Sequence, residues 1–194
     1  MRRVFLLVLV LLLAACGERT PVPWRSTDIS GANFGHALVG LRDQHGKPTT
    51  LTDFKGRAVL LFFGYTACPD VCPATLARYA AVMKALGADS GRVQVLFVTL
   101  DPERDTPDKL GAYVSWFDPA FIGLSGDLAA TEAAAREFKV FFARSKSSAA
   151  MGYTIDHSAG AYAFDPSGRI RLYIKDDAPV EAIASDLKRL LAGQ

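Results

Sequence analysis

The chain has 194 residues, half of them hydrophobic, and a formal net charge of +2 at pH 7. A chain of this length and composition can bury one good hydrophobic core, so we expect a single folded domain. The nearly balanced charge excludes the strongly basic surface that nucleic-acid-binding proteins present, and we expect no nucleic-acid partner.

The N-terminus has the pattern of an export signal. Arg2 and Arg3 precede an apolar run over residues 4–13 that is too short to span a bilayer. The run ends in the sequence LAAC, which resembles the lipobox of bacterial lipoproteins, whose cysteine becomes the lipidated first residue. We therefore predict a lipoprotein signal peptide over 1–15, a lipid anchor on Cys16, and a location in the cell envelope on the periplasmic side of the membrane. Because the two arginines account for the net charge, the remaining chain is formally neutral.

The next segment is polar and has no periodicity. Residues 16–33 contain two prolines and scattered polar groups, so we predict a lipidated N-terminus and tether there, followed by a domain over 34–194. At the start of the domain, short apolar segments at 37–41 and 49–51 flank the polar sequence DQHGK (43–47). This pattern predicts an N-terminal β-hairpin.

A βαβ unit follows. Two nearly continuous apolar runs, 60–63 and 93–100, are typical of parallel strands that are covered on both faces. Apolar residues recur at helical spacing between them, over 73–86. Cys68 and Cys72 lie in the first loop of this unit, after the carboxyl end of a strand. Ligand-binding and catalytic groups gather at that edge of such sheets.

The rest of the chain completes an α/β layout. The order of elements, with a thiol pair after the first central strand, predicts a thioredoxin-like fold with an N-terminal β-hairpin and an insertion before the final β-hairpin. The further predicted elements are a helix from Thr106 and Pro107 to about residue 116, a strand over 121–124, a helix that Asp127 caps and that continues to Phe142, an irregular polar insertion over 144–154, a β-hairpin of strands 161–164 and 170–174, and a helix over 179–191.

The cysteine pair points to redox or metal chemistry. Cys68 and Cys72 are separated by three residues, and such a pair can close a disulfide or bind one soft metal ion. Pro73 suits a first helical position, so we expect Cys72 at the amino end of a helix, where the helix dipole favours a thiolate. An inert structural disulfide is a third alternative, although a short loop gains little stability from cross-linking.

The chain has three histidines, and His157 is the one placed to partner the thiols, because it precedes the strand that is predicted to border the cysteine loop. From the residues alone, it is equally suited to be a ligand or an ordinary loop histidine. We expect His36 and His45 to be surface or loop residues. We expect the acids of residues 101–107 to form helix caps and loop hydrogen bonds rather than a metal cluster, and Asp70 to cap the loop or the helix.

Three motifs in order along the chain carry a family resemblance. They are GYTACPDVCP (64–73), DPERDTP (101–107) and DHSA (156–159). Together they resemble the Sco/SenC family of copper-binding thioredoxin-like proteins, over roughly residues 30–191. Three motifs at compatible distances are a much more specific match than two cysteines alone.

The resemblance implies a ligand set, a role and partners. Carried over by position, the family's copper ligands are Cys68, Cys72 and His157, which would hold one Cu(I) or Cu(II) ion. The implied role is that of a copper metallochaperone in assembly of the copper A centre of cytochrome c oxidase. Its partner would be the copper A-bearing subunit, with other periplasmic copper chaperones or thiol reductants as further partners. Family members are often held by a transmembrane helix, whereas we expect lipid on Cys16 here. We also expect Asp156 to orient the His157 ring.

The same residues are compatible with other functions. In one, the protein is an enzyme, a thiol:disulfide reductase whose Cys68 and Cys72 form a redox pair, cycling between dithiol and disulfide, to keep the oxidase cysteines reduced for metallation. A copper sensor or a general copper-resistance factor is also compatible with the site. A thiol peroxidase of the peroxiredoxin type is disfavoured, because Thr66 lies two residues before Cys68 and that family's pattern requires three.

Overall fold

The structure, a computed structural model, describes residues 22–146 and 152–194. The predicted signal peptide and Cys16 lie outside the described residues. Two 3-10 segments, Leu51–Phe54 and Gly87–Arg92, accompany the regular elements. In chain order these elements are β1 (Thr27–Asp28), β2 (Arg42–Asp43), β3 (Ala58–Gly64), α1 (Val71–Leu86), β4 (Val93–Thr99), α2 (Pro107–Phe117), β5 (Ile122–Ser125), α3 (Leu128–Glu137), β6 (Phe142–Lys146), β7 (Tyr153–His157), β8 (Ala161–Phe164), β9 (Ile170–Ile174) and α4 (Val180–Leu191).

Seven strands form one mixed sheet in the order β1-β9-β8-β3-β4-β5-β2. Strands β3, β4 and β5 run parallel at its centre, and β8 joins β3 in the antiparallel sense. Every residue of β3 and β4 is buried, as the apolar runs predict for strands covered on both faces. The predicted α/β thioredoxin-like fold is confirmed. The loops that follow β3 and β4 therefore lie next to each other at the same edge of the sheet.

The helices around the sheet begin at residues that satisfy their first N–H groups. At the start of α2, Thr106 accepts a hydrogen bond from the Lys109 N–H at 3.4 Å. At the start of α3, Asp127 accepts one from the Ala130 N–H at 2.7 Å. Such caps contribute about 1 kcal/mol each. Helix α4 packs against both α1 and β3 through its apolar face.

Aromatic rings fill the space between the sheet and the helices. Phe62 packs against Phe97 and Tyr79, with ring centroids 5.9 and 6.1 Å apart. Phe63, on the opposite face of β3, meets Phe138 at 5.4 Å. All five side chains are buried. Because removing such a ring costs about 3–5 kcal/mol, this packing fixes the carboxyl end of β3, where the cysteine loop begins.

Residues 22–33 belong to the domain, which corrects the predicted tether up to residue 33. Strand β1 pairs with β9, and the guanidinium carbons of Arg171 and Arg189 lie 5.7 and 4.0 Å from the centroid of the Trp24 ring. Asp186, fully buried on α4, accepts two backbone N–H groups of this stretch at 3.1 and 2.8 Å. These contacts join two ends of the chain that local sequence patterns do not relate.

The N-terminal β-hairpin is present, but its strands are shorter than predicted. The Asp43 N–H donates to the Lys47 carbonyl at 2.9 Å, and the Thr49 N–H donates to the Leu41 carbonyl at 3.1 Å. The first arm of the hairpin contains only the two-residue strand β2, which pairs on its other side with β5. The second arm leads directly into the 3-10 segment Leu51–Phe54.

The prediction that the third helix continues to Phe142 is wrong. Helix α3 ends at Glu137, and Phe142 begins β6. Lys139 adopts the left-handed conformation, with φ of 53°, and the Val140 N–H donates to the Ala135 carbonyl at 2.8 Å. This is a Schellman motif, which usually has glycine at the left-handed position. A lysine there gives no stop signal in the sequence.

The predicted irregular insertion over 144–154 is largely a second hairpin. Strands β6 and β7 form a separate two-stranded antiparallel sheet, in which Phe142 lies opposite His157. Residues 147–151, between the two strands, lie outside the described residues. The hairpin returns the chain to the edge of the main sheet at which the cysteine loop lies.

Candidate metal site

The two thiols follow the central strand β3 directly. Cys68 is partly buried in the loop, and Cys72 is fully buried in the first turn of α1. Gly64, the last residue of β3, permits this close approach. A Cβ at Gly64 would lie 2.8 Å from the Cys72 sulfur and 2.8 Å from the Phe97 ring, closer than real Cβ contacts. A larger residue at this position would push the buried thiol away from the sheet.

Helix α1 begins at Val71, two residues earlier than predicted. Pro73 lies in its first turn, where the missing N–H costs no intrahelical hydrogen bond. Asp70 occupies the N-cap position, but its carboxylate makes no capping hydrogen bond. The N–H of Cys72 instead donates to the Cys68 sulfur at 3.4 Å. The amino end of the helix therefore stabilises negative charge on Cys68.

Hydrogen bonding makes the two sulfurs chemically different. The hydrogen bond from the Cys72 thiol, together with those from two backbone N–H groups, lowers the pKa of Cys68 well below its usual range. The same thiol–thiolate hydrogen bond, together with burial, raises the pKa of Cys72 above its usual range. The thiolate is therefore on Cys68, whereas the sequence had predicted it on Cys72. The helix terminus acts on the neighbouring sulfur rather than on the cysteine that it contains.

His157 ends β7 and faces the thiols. Its Nε2 lies 3.5 Å from the Cys72 sulfur, and its Nδ1 lies 2.9 Å from the carbonyl oxygen of Ser158. The carbonyl can only accept, so this contact assigns the proton to Nδ1 and leaves the Nε2 lone pair directed at the sulfurs. Tyr65 and Phe62 stand edge-on to the imidazole, at centroid distances of 6.0 and 6.2 Å.

Asp156 does not hold the His157 ring, which corrects the prediction. Its carboxylate accepts a hydrogen bond from the hydroxyl of Ser145, on the opposing strand β6. Successive side chains of a strand point to opposite faces, so the residue before His157 is directed away from the imidazole. The backbone carbonyl of Ser158 takes the orienting role that was expected of the carboxylate.

One ligand atom from each of Cys68, Cys72 and His157 lies within 4.8 Å of the other two. Elsewhere in residues 22–146 and 152–194, no three side chains of ligating type come together in this way. His36 and His45 are exposed and lie apart from the group. Two sulfurs and an imidazole nitrogen suit a soft ion of low coordination number, such as Cu(I), better than they suit Mg²⁺ or Ca²⁺.

Both cysteines are free thiols in the structure. Their sulfurs lie within 4.8 Å, so a small movement of the loop would bring them to the roughly 2 Å of a disulfide bond. The Cys68–Cys72 disulfide stays a prediction.

The acidic loop after β4, residues 101–107, contacts both the cysteine loop and the hairpin that carries His157. Asp105, fully buried, accepts hydrogen bonds from the N–H and the hydroxyl of Thr66, at 2.9 and 2.5 Å, and from a threonine hydroxyl of β4 at 2.6 Å. Asp101, also fully buried, accepts from Arg104 Nε and from the Tyr153 hydroxyl. The prediction that these acids form loop hydrogen bonds is confirmed.

Four residues that support the site were not predicted as functional: Tyr65, Thr66, Arg104 and Tyr153. The first three lie in the motifs 64–73 and 101–107, and the available signal is their position after the ends of β3 and β4, at the edge of the sheet where sites form. Tyr153 lies on a hairpin whose strands were not predicted, so the sequence offered no comparable signal for it.

Comparison with known proteins identifies the family. The SCO1/SenC family model matches residues 31–192. The mitochondrial SCO2 homolog of Bos taurus is 34% identical over 184 residues, which cover 94% of this chain and 69% of that protein.

Two solved structures are similar to the chain over nearly their whole length. ScoI of Bradyrhizobium japonicum with copper bound is 40% identical, with a TM-score of 0.73, covering 82% of this chain and 99% of that one. ScoI of Arabidopsis thaliana with copper bound is 29% identical, with a TM-score of 0.77, covering 84% and 100%. The chain belongs to the SCO1/SenC family.

Proposed function

We propose that this protein is a copper metallochaperone that binds one copper ion through Cys68, Cys72 and His157 and assists assembly of the copper A centre of cytochrome c oxidase. The observation that carries the proposal is the convergence of two sulfurs and an imidazole nitrogen within 4.8 Å. The copper-bound ScoI structures, 40% and 29% identical to the chain, support copper as the cargo. The oxidase partner is supported by family membership and by the three motifs of the sequence.

Loading the site replaces a proton with the ion. The pKa of Cys68 is lowered and that of Cys72 is raised, so Cys68 is the thiolate and Cys72 keeps its proton. A copper ion needs both sulfurs deprotonated, so binding displaces that proton, and a higher pH favours loading. The Nε2 lone pair of His157 needs no proton transfer, because the ring proton is held at Nδ1 by the Ser158 carbonyl.

Release to a partner is assisted by the unequal burial of the ligands. Cys68 and His157 are partly exposed, whereas Cys72 is fully buried. Ligands of the acceptor can therefore approach from the side of Cys68 and His157 and replace them first. Cys72 is then the last protein ligand to dissociate from the copper ion. A site with only three protein ligands also holds the ion less firmly than a closed four-ligand cage, which suits a donor.

The thiol pair also supports a second function, reduction of a disulfide in the oxidase subunit. The carrying observation is the pairing of a thiolate, Cys68, with a protonated neighbour, Cys72. The Cys68 thiolate would attack one sulfur of the partner disulfide and expel the other as a thiolate. Cys72, on losing its proton, would then attack Cys68, release the second partner thiol and leave a Cys68–Cys72 disulfide. The partner gains two electrons, and a periplasmic thiol reductant restores the dithiol.

For the location, we propose a lipid anchor on Cys16 and a folded part on the periplasmic side of the membrane, in the cell envelope. The lipobox-like sequence supports the anchor, and the mitochondrial and bacterial SCO2-like relatives support association with a membrane. In the described stretches of the chain, no helix has the length and apolar composition to cross a bilayer.

Copper stoichiometry and spectra test the proposed site. The protein is reduced, loaded with Cu(I) or Cu(II), freed of excess metal and compared with His157→Ala and with the control His36→Ala. We expect one copper ion per chain in the wild type and in the control. We also expect a thiolate-to-Cu(II) absorption band and an EPR signal with nitrogen coupling, both of which His157→Ala loses.

The same variants distinguish copper binding from disulfide reduction. His157→Ala should retain reduction of a peptide disulfide, because both thiols remain. If the wild type retains no copper but reduces the disulfide readily, the main function is thiol redox chemistry and the metallochaperone proposal is wrong.

A further inference from the structure

We propose that Arg104 is a positioning residue for the copper site, because it ties the hairpin that carries His157 to the cysteine loop. This inference rests on the proposed function, since it assumes that Cys68, Cys72 and His157 hold the ion. Arg104 lies in the loop between β4 and α2 and contributes no ligand atom of its own.

The hairpin needs such a tie because it stands apart from the main sheet. In the described residues, β6 and β7 pair with each other and with no strand of the seven-stranded sheet. The main-chain hydrogen bonds that fix the cysteine side of the site therefore do not fix the position of β7. The short connection from His157 to β8 and side-chain contacts, among them those of the buried Ile155, determine where His157 lies relative to the sulfurs.

Arg104 contacts Tyr153, the first residue of β7, and the buried Asp101, to which Tyr153 is hydrogen-bonded. Its guanidinium carbon lies 3.6 Å from the centroid of the Tyr153 ring, and its NH1 group donates to the Tyr153 carbonyl at 3.0 Å. Its Nε donates to Asp101, which also accepts the Tyr153 hydroxyl at 2.8 Å. Because the Asp101 side chain is 0% exposed, its charge needs these donors, and the arrangement has little freedom.

The other side of Arg104 faces the cysteine loop. Its guanidinium carbon lies 5.9 Å from the centroid of the Tyr65 ring, which in turn stands 6.0 Å from the imidazole of His157. Thr66, the residue after Tyr65, is held by Asp105 through its N–H and its hydroxyl. A continuous row of contacts thus joins the start of β7, the cysteine loop and the copper ligand at the end of β7.

The consequence is selective. Loss of the Arg104 contacts frees the hairpin and lets the Nε2 atom of His157 move away from the sulfurs. Cys68 and Cys72 stay in place, because α1, Gly64 and Asp105 hold them independently. A variant of Arg104 should therefore lose the imidazole contribution to copper binding and keep the thiolate contribution.

The test uses Arg104→Lys, which keeps the positive charge but removes the Nε donor and the planar stacking group. Tyr153→Phe is a milder second variant, since it removes only the hydroxyl that donates to Asp101. Glu103→Gln is the matched control in the same loop. Glu103 also pairs with the hairpin, through Arg144 at 2.9 Å, but both side chains of that pair are about half exposed.

Copper affinity is measured by competition with a chelator, on the full chain in detergent, with circular dichroism to verify folding. Arg104→Lys should weaken Cu(II) binding about tenfold and reduce the nitrogen coupling in EPR. Tyr153→Phe should shift both readouts in the same direction. Glu103→Gln should change affinity by less than about twofold, because exposed ion pairs contribute little. If Glu103→Gln weakens binding as much as Arg104→Lys, the inference is overturned.

A double-mutant cycle with His157→Ala distinguishes positioning from general damage. If Arg104 acts through His157, Arg104→Lys adds no further loss in the His157→Ala background. Additive losses would overturn the inference, as would wild-type Cu(II) binding by Arg104→Lys while His157→Ala is impaired. If His157→Ala itself binds Cu(II) like the wild type, the proposed copper site is wrong and the inference falls with it.

Discussion

The thiols and the imidazole of the site are held by two regions that are built in different ways. Cys72 is fully buried against the seven-stranded sheet, where Gly64 and Phe97 leave no spare room. His157 ends a two-stranded hairpin outside that sheet and is partly exposed. Core packing and main-chain hydrogen bonds fix the first region, whereas the second depends on side-chain contacts such as those of Arg104.

This difference matches what the two oxidation states of copper require. Two thiolates suffice for Cu(I), which is soft and accepts low coordination, whereas Cu(II) favours the added imidazole. In the proposed copper site, the rigid region, meaning the cysteine loop and α1 packed on the seven-stranded sheet, would therefore supply the ligands that every loaded state needs. The hairpin would supply the ligand that one state needs more than the other. Changes in the rigid region should affect folding and all copper binding, and changes in the hairpin should affect mainly Cu(II).

The largest effect is expected from filling the space beside the buried thiol. Gly64→Ala places a Cβ 2.8 Å from the Cys72 sulfur and from the Phe97 ring, and overpacking of this kind costs about 1–3 kcal/mol. We expect a lower free energy of unfolding in denaturant titrations and poorer retention of both Cu(I) and Cu(II). Gly91→Ala is the control, because a Cβ there meets no atom within 4 Å. Normal stability and copper retention in Gly64→Ala would contradict the account of a closely packed thiol region.

A smaller effect should show how the two sulfurs share a proton. The hydrogen bond from Cys72 lowers the pKa of Cys68, so Cys68 should react with iodoacetamide at about pH 6, below the usual thiol range, while Cys72 stays protonated. Cys72→Ala removes the donor, raises the pKa of Cys68 and should slow its alkylation at that pH about tenfold. The difference should vanish at a pH above the usual thiol pKa. Equal rates in both proteins at low pH would show that Cys72 does not stabilise the thiolate.

The smallest effect is expected far from the copper ligands. Asp186→Asn replaces one of the two oxygens that accept the backbone N–H groups of the N-terminal stretch, at a cost of about 1 kcal/mol. Thermal unfolding should shift downward, while copper stoichiometry and spectra stay those of the wild type. Asp177→Asn, at an exposed position before α4, serves as the control. A changed copper spectrum in Asp186→Asn would show that α4 and the N-terminal stretch are coupled to the site.

The central elements could be predicted because their signals are local. The apolar runs matched β3 and β4, and the predicted strand 161–164 coincides with β8. Strand β1 could not be predicted in this way. It consists of two exposed residues, and its position depends on contacts of Trp24 and Asp186 with distant parts of the chain. The end of α3 was missed for another reason, since Lys139 takes a left-handed conformation that glycine usually signals.

The candidate site was partly accessible from the sequence. The motifs singled out Cys68, Cys72 and His157, whose ligand atoms the structure places within 4.8 Å, although their binding of copper stays a prediction. The location of the thiolate was not accessible, because it depends on which sulfur donates to the other in space. The role of Arg104 depends on a hairpin that no local pattern revealed.

The hydrogen bond from His157 Nδ1 to the carbonyl of Ser158 has a consequence for evolution. The acceptor belongs to the main chain, so every amino acid at position 158 retains it. The Ser158 side chain serves a separate contact, accepting the Phe141 N–H at 3.1 Å. A substitution at position 158 would therefore remove the contact with Phe141 at the open end of the β6–β7 hairpin and leave the histidine tautomer unchanged. A main-chain acceptor gives this proposed copper ligand a mutational robustness that a carboxylate partner could not provide.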